Sequence, residues 1–361
     1  VSDDAATVVP LAERLRKQIE AGGPISVAHY IGEANAHYYA TRDPIGAAGD
    51  FTTAPEISQM FGELIGLCLA DIWIQSGRAR APLYVELGPG RGTLANDALR
   101  AMRAADLLPQ VHLIETSPVL RTQQKSLLPD AQFHDDLETL PRDAPILAVA
   151  NEFFDALPTR QIVRTEKGWR ERVVIAGDGG GFTPIAGYRD MAAVVPPSLA
   201  DAPVGSIVEI SPAAATVAML LARRIAQQGG AAIIVDYGYS GPALGDSLQA
   251  VRNHAYADPF VGVGEHDLTT HVDFTMIGHV GMQAGLSVLG PVAQGDFLRA
   301  LGIDARAAQL GHRAPDRAAA IAAARARLVE PEQMGGLFKV MAFVHPDWPR
   351  PDGFGLAGAS L

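Results

Sequence analysis

The chain has 361 residues, 48% of them hydrophobic and 19% charged, an ordinary globular composition with length for a core domain of about 200 residues plus elaborations. A net charge of -11 argues against a surface that tracks nucleic-acid phosphates, and the apolar runs end at strand length, short of the ~18 residues that a membrane helix needs. The single cysteine, Cys68 in Leu64-Ile65-Gly66-Leu67-Cys68-Leu69, excludes disulfides and cysteine metal sites within one chain and reads as a buried thiol.

The N-terminal Val1-Ser2-Asp3-Asp4 carries neither an apolar secretory stretch nor Arg-rich transit character, so the expected compartment is the cytoplasm. Residues 7–21 have helical spacing, with Val8, Leu11, Leu15 and Ile19 on one face. Ser26 is placed to cap a second helix, and a long apolar helix is expected from about Ile57 to Ser76. From there strand and helix alternate: strand 83–87, helix 93–105, strand 111–115, helix 118–127, strand 131–134 and strand 145–150. This is the rhythm of a doubly wound α/β sheet. Beyond Pro158 the rhythm changes. Strands at 161–164, 169–175 and 206–210 suggest an antiparallel insertion. Ser211-Pro212 opens a helix that Gly229-Gly230 ends, and strand 231–236 leads into a long irregular loop. A helix near 273–284, a strand at 286–292, a helical stretch 294–328 broken at Pro315 and a last strand at 337–344 complete the pattern.

Strand 83–87 runs into Gly88-Pro89-Gly90-Arg91-Gly92. Glycines at every second residue let the backbone turn sharply and approach a ligand closely, with Thr93 available to cap the next helix. A pyrophosphate-binding fold would want Gly-x-Gly-x-x-Gly. The spacing here fits S-adenosylmethionine better than NAD, and Glu86 agrees, because a carboxylate there would hold the ammonium of a methionine moiety and repel a pyrophosphate. A purely structural turn would look the same. In an open α/β sheet the ligand lies across the carboxyl ends of the strands. Glu115 ends the second strand and suits two ribose hydroxyls. Asp135 and Asp136 follow the third and suit an adenine amine, although either could instead cap a helix. The fourth strand delivers Asn151-Glu152-Phe153-Phe154-Asp155-Ala156-Leu157-Pro158. Its polar residues could bind a cationic nucleophile while the phenylalanines exclude water, or the segment could be a capped helix start over two core rings. His254, His266, Asp267, His271 and Asp273 read better as a polar network than as a metal site, because they lack a helical His-x-x-x-His pair.

The chain resembles the MidA-type family of class I methyltransferases, whose mitochondrial member is the arginine methyltransferase that assists assembly of respiratory complex I. The residues that carry the resemblance run from Gly49-Asp50-Phe51-Thr52-Thr53-Ala54-Pro55-Glu56 to Glu63, through Glu86–Gly92, Glu115-Thr116-Ser117-Pro118 and Asn151–Pro158. They continue in Asp236-Tyr237-Gly238, Gly245-Asp246-Ser247-Leu248-Gln249 and Gly264–Phe274. Ser247 stands where the family more often has Thr. The resemblance implies a Rossmann-like seven-stranded sheet with a helical N-terminal extension over 1–80 and a methyltransferase domain over 81–345. That domain would carry an antiparallel insertion at about 160–205 and substrate-side elaborations at about 238–272 and 293–335, followed by a tail over 346–361.

It also implies S-adenosylmethionine as cofactor, bound by Thr53, Glu86, Gly88, Gly90, Gly92, Glu115, Asp135 and Asp136. The implied acceptor is an arginine of a protein, a complex I subunit by extension, with Glu152 orienting the guanidinium, helped by Asp155, Glu56 and Asn151. Asp236 or His271 would take the proton. A bacterial, cytoplasmic enzyme without bound metal is the expectation. A non-catalytic cofactor-binding assembly chaperone and a small-molecule methyltransferase are the alternatives.

Overall fold

The computed structural model describes residues 9–41, 53–78, 80–177, 181–252 and 255–355. The segment Asp50-Phe51-Thr52 and His254 lie outside them. The chain forms two compact units, and it passes between them several times.

The smaller unit draws on Val1–Arg42, Ala156–Pro212 and Pro242–Thr270. Helix Leu11–Gly22 buries Leu11, Leu15 and Ile19, one residue per turn of a single face, and stops at Gly23 with φ of 85°. Ser26 does cap the next helix, Val27–Thr41, its hydroxyl accepting from His29 N at 3.1 Å, but Ile25–Ser26 also pairs as a short strand with Val173–Val174. Strands Arg160–Thr165, Gly168–Ala176 and Ile207–Ile210 are antiparallel, as the sequence suggested. A fourth strand, Phe182–Asp190, was not anticipated, because most of its residues are exposed or half-exposed and show no apolar alternation. The expected irregular loop instead contains a three-stranded sheet of Gln249–Arg252, Ala255–Ala257 and Asp267–Thr269. Asn35 anchors it, donating to Ala156 O and Leu268 O at 2.9 and 2.8 Å and accepting from Leu268 N at 3.0 Å.

The larger unit is built on seven principal strands: β1 (Leu83–Leu87), β2 (Gln110–Ile114), β3 (Gln132–His134), β4 (Ile146–Asn151), β5 (Gly230–Tyr239), β6 (Ser287–Ala293) and β7 (Phe338–Val344). They lie in the order β6-β7-β5-β4-β1-β2-β3. Strands β1 to β5 are mutually parallel and β7 runs antiparallel between β5 and β6. Val272–Asp273 adds a short parallel pairing to the end of β5. Strands β1 and β4 are buried throughout, which is why they read as apolar runs interrupted only by Glu86 and Asn151 near their carboxyl ends.

Helix Gln59–Gln75 packs on helix Thr93–Ala104 through Gly62 and Gly66. A Cβ on Gly66 would stand 2.5 Å from Ala98 O, so hydrogen in place of a side chain is what permits this approach. Glu63 pins the same helices. It accepts from Arg306 Nε and Nη2 at 2.8 and 2.7 Å and from Arg100 Nη2 at 2.9 Å. Burial acts to raise its carboxyl, and the two guanidinium groups overcome that and hold it below the usual range. The helical stretch after Ala293 breaks at Gly302, where φ is 92°, as well as near Pro315.

Candidate active site

Strand order reverses between β1 and β4, because β2 and β3 extend the sheet on one side of β1 while β4 and β5 extend it on the other. That reversal leaves a crevice at the carboxyl ends of β1 and β4, the usual ligand position in such sheets. Register places the acidic residues in a row along this edge. Leu87 pairs with both Ile114 and Ala150, and Val235 pairs with Asn151, so Glu86, Glu115 and Glu152 sit at or just past strand ends, and Asp236 lies in β5 one residue beyond its last pairing with β4.

The glycine turn takes the conformation its composition suggests. Gly88, Gly90 and Gly92 have φ of 61°, 55° and 82°, in the left-handed region. Gly88 is constrained twice, since a Cβ there would also meet the Phe153 ring at 2.8 Å. Gly92 itself is the N-cap of helix Thr93–Ala104. Thr93 therefore does not cap; its hydroxyl donates to Glu56 Oε1 at 2.5 Å. Below the turn, Glu86 is 2% exposed and accepts a hydrogen bond from the Tyr84 hydroxyl at 2.5 Å. Burial lifts its carboxyl to about 8, against the opposing hydrogen bond.

Glu115 is buried, and its Oε1 accepts from Ser117 N at 2.7 Å. Burial raises this carboxyl as well, opposed by its hydrogen bonds to Ser117 and Gln124. The two aspartates after β3 divide. Asp136 caps the short turn Leu137–Thr139 by accepting from Glu138 N and Thr139 N at 2.8 and 3.2 Å, while Asp135 is solvent-facing and pairs with Arg121 at 2.6 Å.

The loop after β4 is strained where the chemistry was expected. Glu152 has φ of 49°, uncommon for a residue with a side chain. Its Oε1 accepts from Ala54 N at 3.2 Å and from Asn151 Nδ2 at 3.1 Å, which ties the Thr53–Ile57 segment to this loop. Burial and the neighbouring Asp155 push Glu152 up to about 8. Thr53 precedes the short helix Ala54–Ile57 as its N-cap. Asp236 is wholly buried, and its role was missed by the sequence: one oxygen accepts from the amides of Phe153, Phe154 and Asp155 at 3.2, 2.9 and 3.2 Å, the other from Tyr237 N at 3.0 Å. Four amide bonds make Asp236 the organiser of the loop. Burial, Asp155 and Glu152 hold its carboxyl far above the ordinary aspartate value.

The histidine–aspartate run performs separate tasks. Asp267 accepts from the Tyr39 hydroxyl at 2.9 Å; Asp273 caps helix Phe274–Gln283; His271 sets its ring edge-on to Tyr237, with centroids 5.4 Å apart. His266 is buried in the smaller unit.

Residues 64–292 match the family model described as "Putative S-adenosyl-L-methionine-dependent methyltransferase". The mitochondrial protein arginine methyltransferase NDUFAF7 homolog of Drosophila melanogaster is 36% identical, over 92% of this chain and 84% of its own. The NDUFAF7 protein of Danio rerio is 35% identical, over 93% and 87%. A Burkholderia thailandensis protein crystallised with S-adenosyl-homocysteine superimposes with a TM-score of 0.83 at 28% identity, covering 96% of this chain and 95% of that one.

Proposed function

This chain belongs to the S-adenosyl-L-methionine-dependent methyltransferase family, and on that premise we propose that it methylates an arginine guanidinium of a protein partner. The observation that carries the acceptor class is the grouping of three carboxyls, Glu152, Asp155 and Asp236, in which burial and then Asp155 raise Glu152, and burial, Asp155 and Glu152 raise Asp236. A pocket so loaded is complemented by a cation, and a planar guanidinium matches carboxylate geometry. The protein arginine methyltransferases among its relatives support this reading. A subunit of respiratory complex I is the first partner to test, and the cytoplasm the compartment; no helix of the described residues is long and apolar enough to cross a membrane.

S-adenosylmethionine would supply an electrophilic methyl group on a sulfonium, with S-adenosylhomocysteine as leaving group and one N–H proton lost from the methylated guanidinium, and the residues present suit it. A buried glutamate whose neighbour is a single hydroxyl, Glu86, is complemented by the ligand's ammonium. Gly88, Gly90 and Gly92 would clear space for its backbone contacts, Glu115 would take the ribose diol and Asp135 the adenine amine, with Asp136 positioning the loop and Thr53 at its edge. Glu152, held by Ala54 N and Asn151, fixes the guanidinium plane and draws positive charge away from the attacking nitrogen. At neutral pH the arriving cation ionises Glu152 and expels its proton. Asp155 adds field. Glu56, engaged by Thr93, steadies the segment that carries Ala54.

The test is transfer of labelled methyl to candidate protein partners by wild type and Glu152→Gln. Loss of at least a hundredfold in kcat with cofactor affinity intact is expected. Transfer surviving within a few fold would reject Glu152, and turnover of free small molecules without any protein would reject the acceptor class.

A further inference from the structure

Helix Pro118–Leu127 follows β2, yet one of its side chains reaches back to the turn that follows β1. Gln124 is wholly buried. Its Nε2 donates to Gly90 O at 2.6 Å and to Glu115 Oε2 at 3.3 Å. Its Cγ lies 3.5 Å from where a Cβ on Gly92 would stand. One amide thus touches the glycine turn at two places and the strand-end carboxylate at a third. Both hydrogen-bond partners are acceptors, so the amide orientation is set by its neighbours. Its Oε1 is buried with no hydrogen-bond partner among the described residues, a cost that a side chain needed only for packing would not carry.

We infer that Gln124 is the positioning residue of the cofactor site: its Nε2 locks Gly90 and Glu115 in one frame, so that the turn meets the methionine moiety while Glu115 meets the ribose. This rests on the reading of Glu115 as the ribose contact. The physical argument is one of preorganisation. Glu115 Oε1 is held by Ser117 N, and Gln124 Nε2 adds a donor from another element to Oε2. The Gly90 carbonyl sits in a turn whose three left-handed glycines provide no side chains to brace it. Local bonds hold each partner separately, Ser117 N on Glu115 and Gly92 N on Pro89 O in the turn, and the Gln124 amide ties the two to each other before the ligand arrives.

The experiment titrates S-adenosylhomocysteine and adenosine into wild type, Gln124→Met, Glu115→Ala and the double variant, with a melting curve for each. Gln124→Met is expected to weaken S-adenosylhomocysteine about ten- to a hundredfold and to weaken adenosine in parallel, while Glu115→Ala also weakens both. In the double variant the Gln124 effect shrinks to within about threefold, since the side chain it positions is gone. Gln124→Asn keeps a buried amide but shortens its reach by one methylene, and it is expected to fold and still lose at least about fivefold in affinity; this arm decides the matter if the Met variant does not fold. Unchanged affinity in Gln124→Asn, or full additivity in the double variant, would overturn the inference. Unchanged affinity in Glu115→Ala would instead reject the ribose assignment beneath it.

Discussion

Replacing Gly66 by alanine tests whether the cofactor turn is held in place by helix packing. The added Cβ would lie 2.5 Å from Ala98 O, 2.6 Å from Ala98 Cα and 2.9 Å from Ala98 C. All three are backbone atoms, so no side chain can swing away. Ordinary contact begins near 3.5 Å, so helix Thr93–Ala104 must retreat by about 1 Å, an overpacking penalty of about 2 to 3 kcal/mol. Alanine returns up to about 1 kcal/mol of helix propensity, leaving a net loss of about 1 to 2 kcal/mol. Because Gly92 is the N-cap of the retreating helix, the turn moves with it, and if the turn binds the cofactor as proposed, a displacement of that size lowers cofactor affinity by at least about tenfold. Gly22→Ala serves as the control: a Cβ there meets nothing within 4 Å, and it is expected to be neutral or slightly stabilising. Urea denaturation with S-adenosylhomocysteine titration measures both effects. A Gly66→Ala protein as stable as wild type, binding with wild-type affinity, would refute the claim that the two helices meet through bare backbone.

Three further outcomes follow from the charges. Glu63→Ala leaves Arg306 and Arg100 without their shared carboxylate; since both guanidiniums keep some solvent, a loss of about 2 kcal/mol in urea denaturation is expected, and a loss below 0.5 kcal/mol would show the cluster to be incidental. His112 is buried, with Nδ1 2.9 Å from His134 Nε2, and burial followed by the proximity of His134 lowers it to about 4 from 6.5. The unfolded chain then binds more protons than the folded one below pH 6.5, so stability is full above that pH and about 3 kcal/mol is lost as pH falls toward 4; His112→Gln should flatten that stretch of the stability profile, and an unaltered profile would refute it. With the Glu86 carboxyl at about 8 before binding, the ammonium of a ligand seated against it must expel its proton, so affinity for S-adenosylhomocysteine should rise between pH 6 and 7.5 by up to about tenfold per unit. Calorimetry in two buffers of different ionisation enthalpy reads the released proton, and the same release from Glu86→Gln would exclude Glu86 as its source.

Local chemistry determined much of this molecule before any contact was known. Strands β1 and β4, the helix from Pro212 to Gln228 and the glycine turn were readable because each depends on neighbours within one element: a mostly apolar run, a Ser-Pro start, alternate glycines that readily take positive φ. The row of acids at the strand ends was readable too, because strand alternation and the crossover rule say where a parallel sheet presents its ligand edge. The strand Phe182–Asp190 and the small sheet after Gly245 were not: the first is largely exposed, and the strands of the second, three to four residues each, are too short to carry a periodic signal. Tertiary structure alone decided that Thr93 serves Glu56 rather than its own helix, that Asp236 gathers three amides about 80 residues away in the chain, and that Gln124 braces a turn 34 residues before it. Each of these is a polar side chain whose partner is set by which strand ends lie side by side. That adjacency follows from burying the whole sheet, a property of the assembled core rather than of any short stretch of sequence.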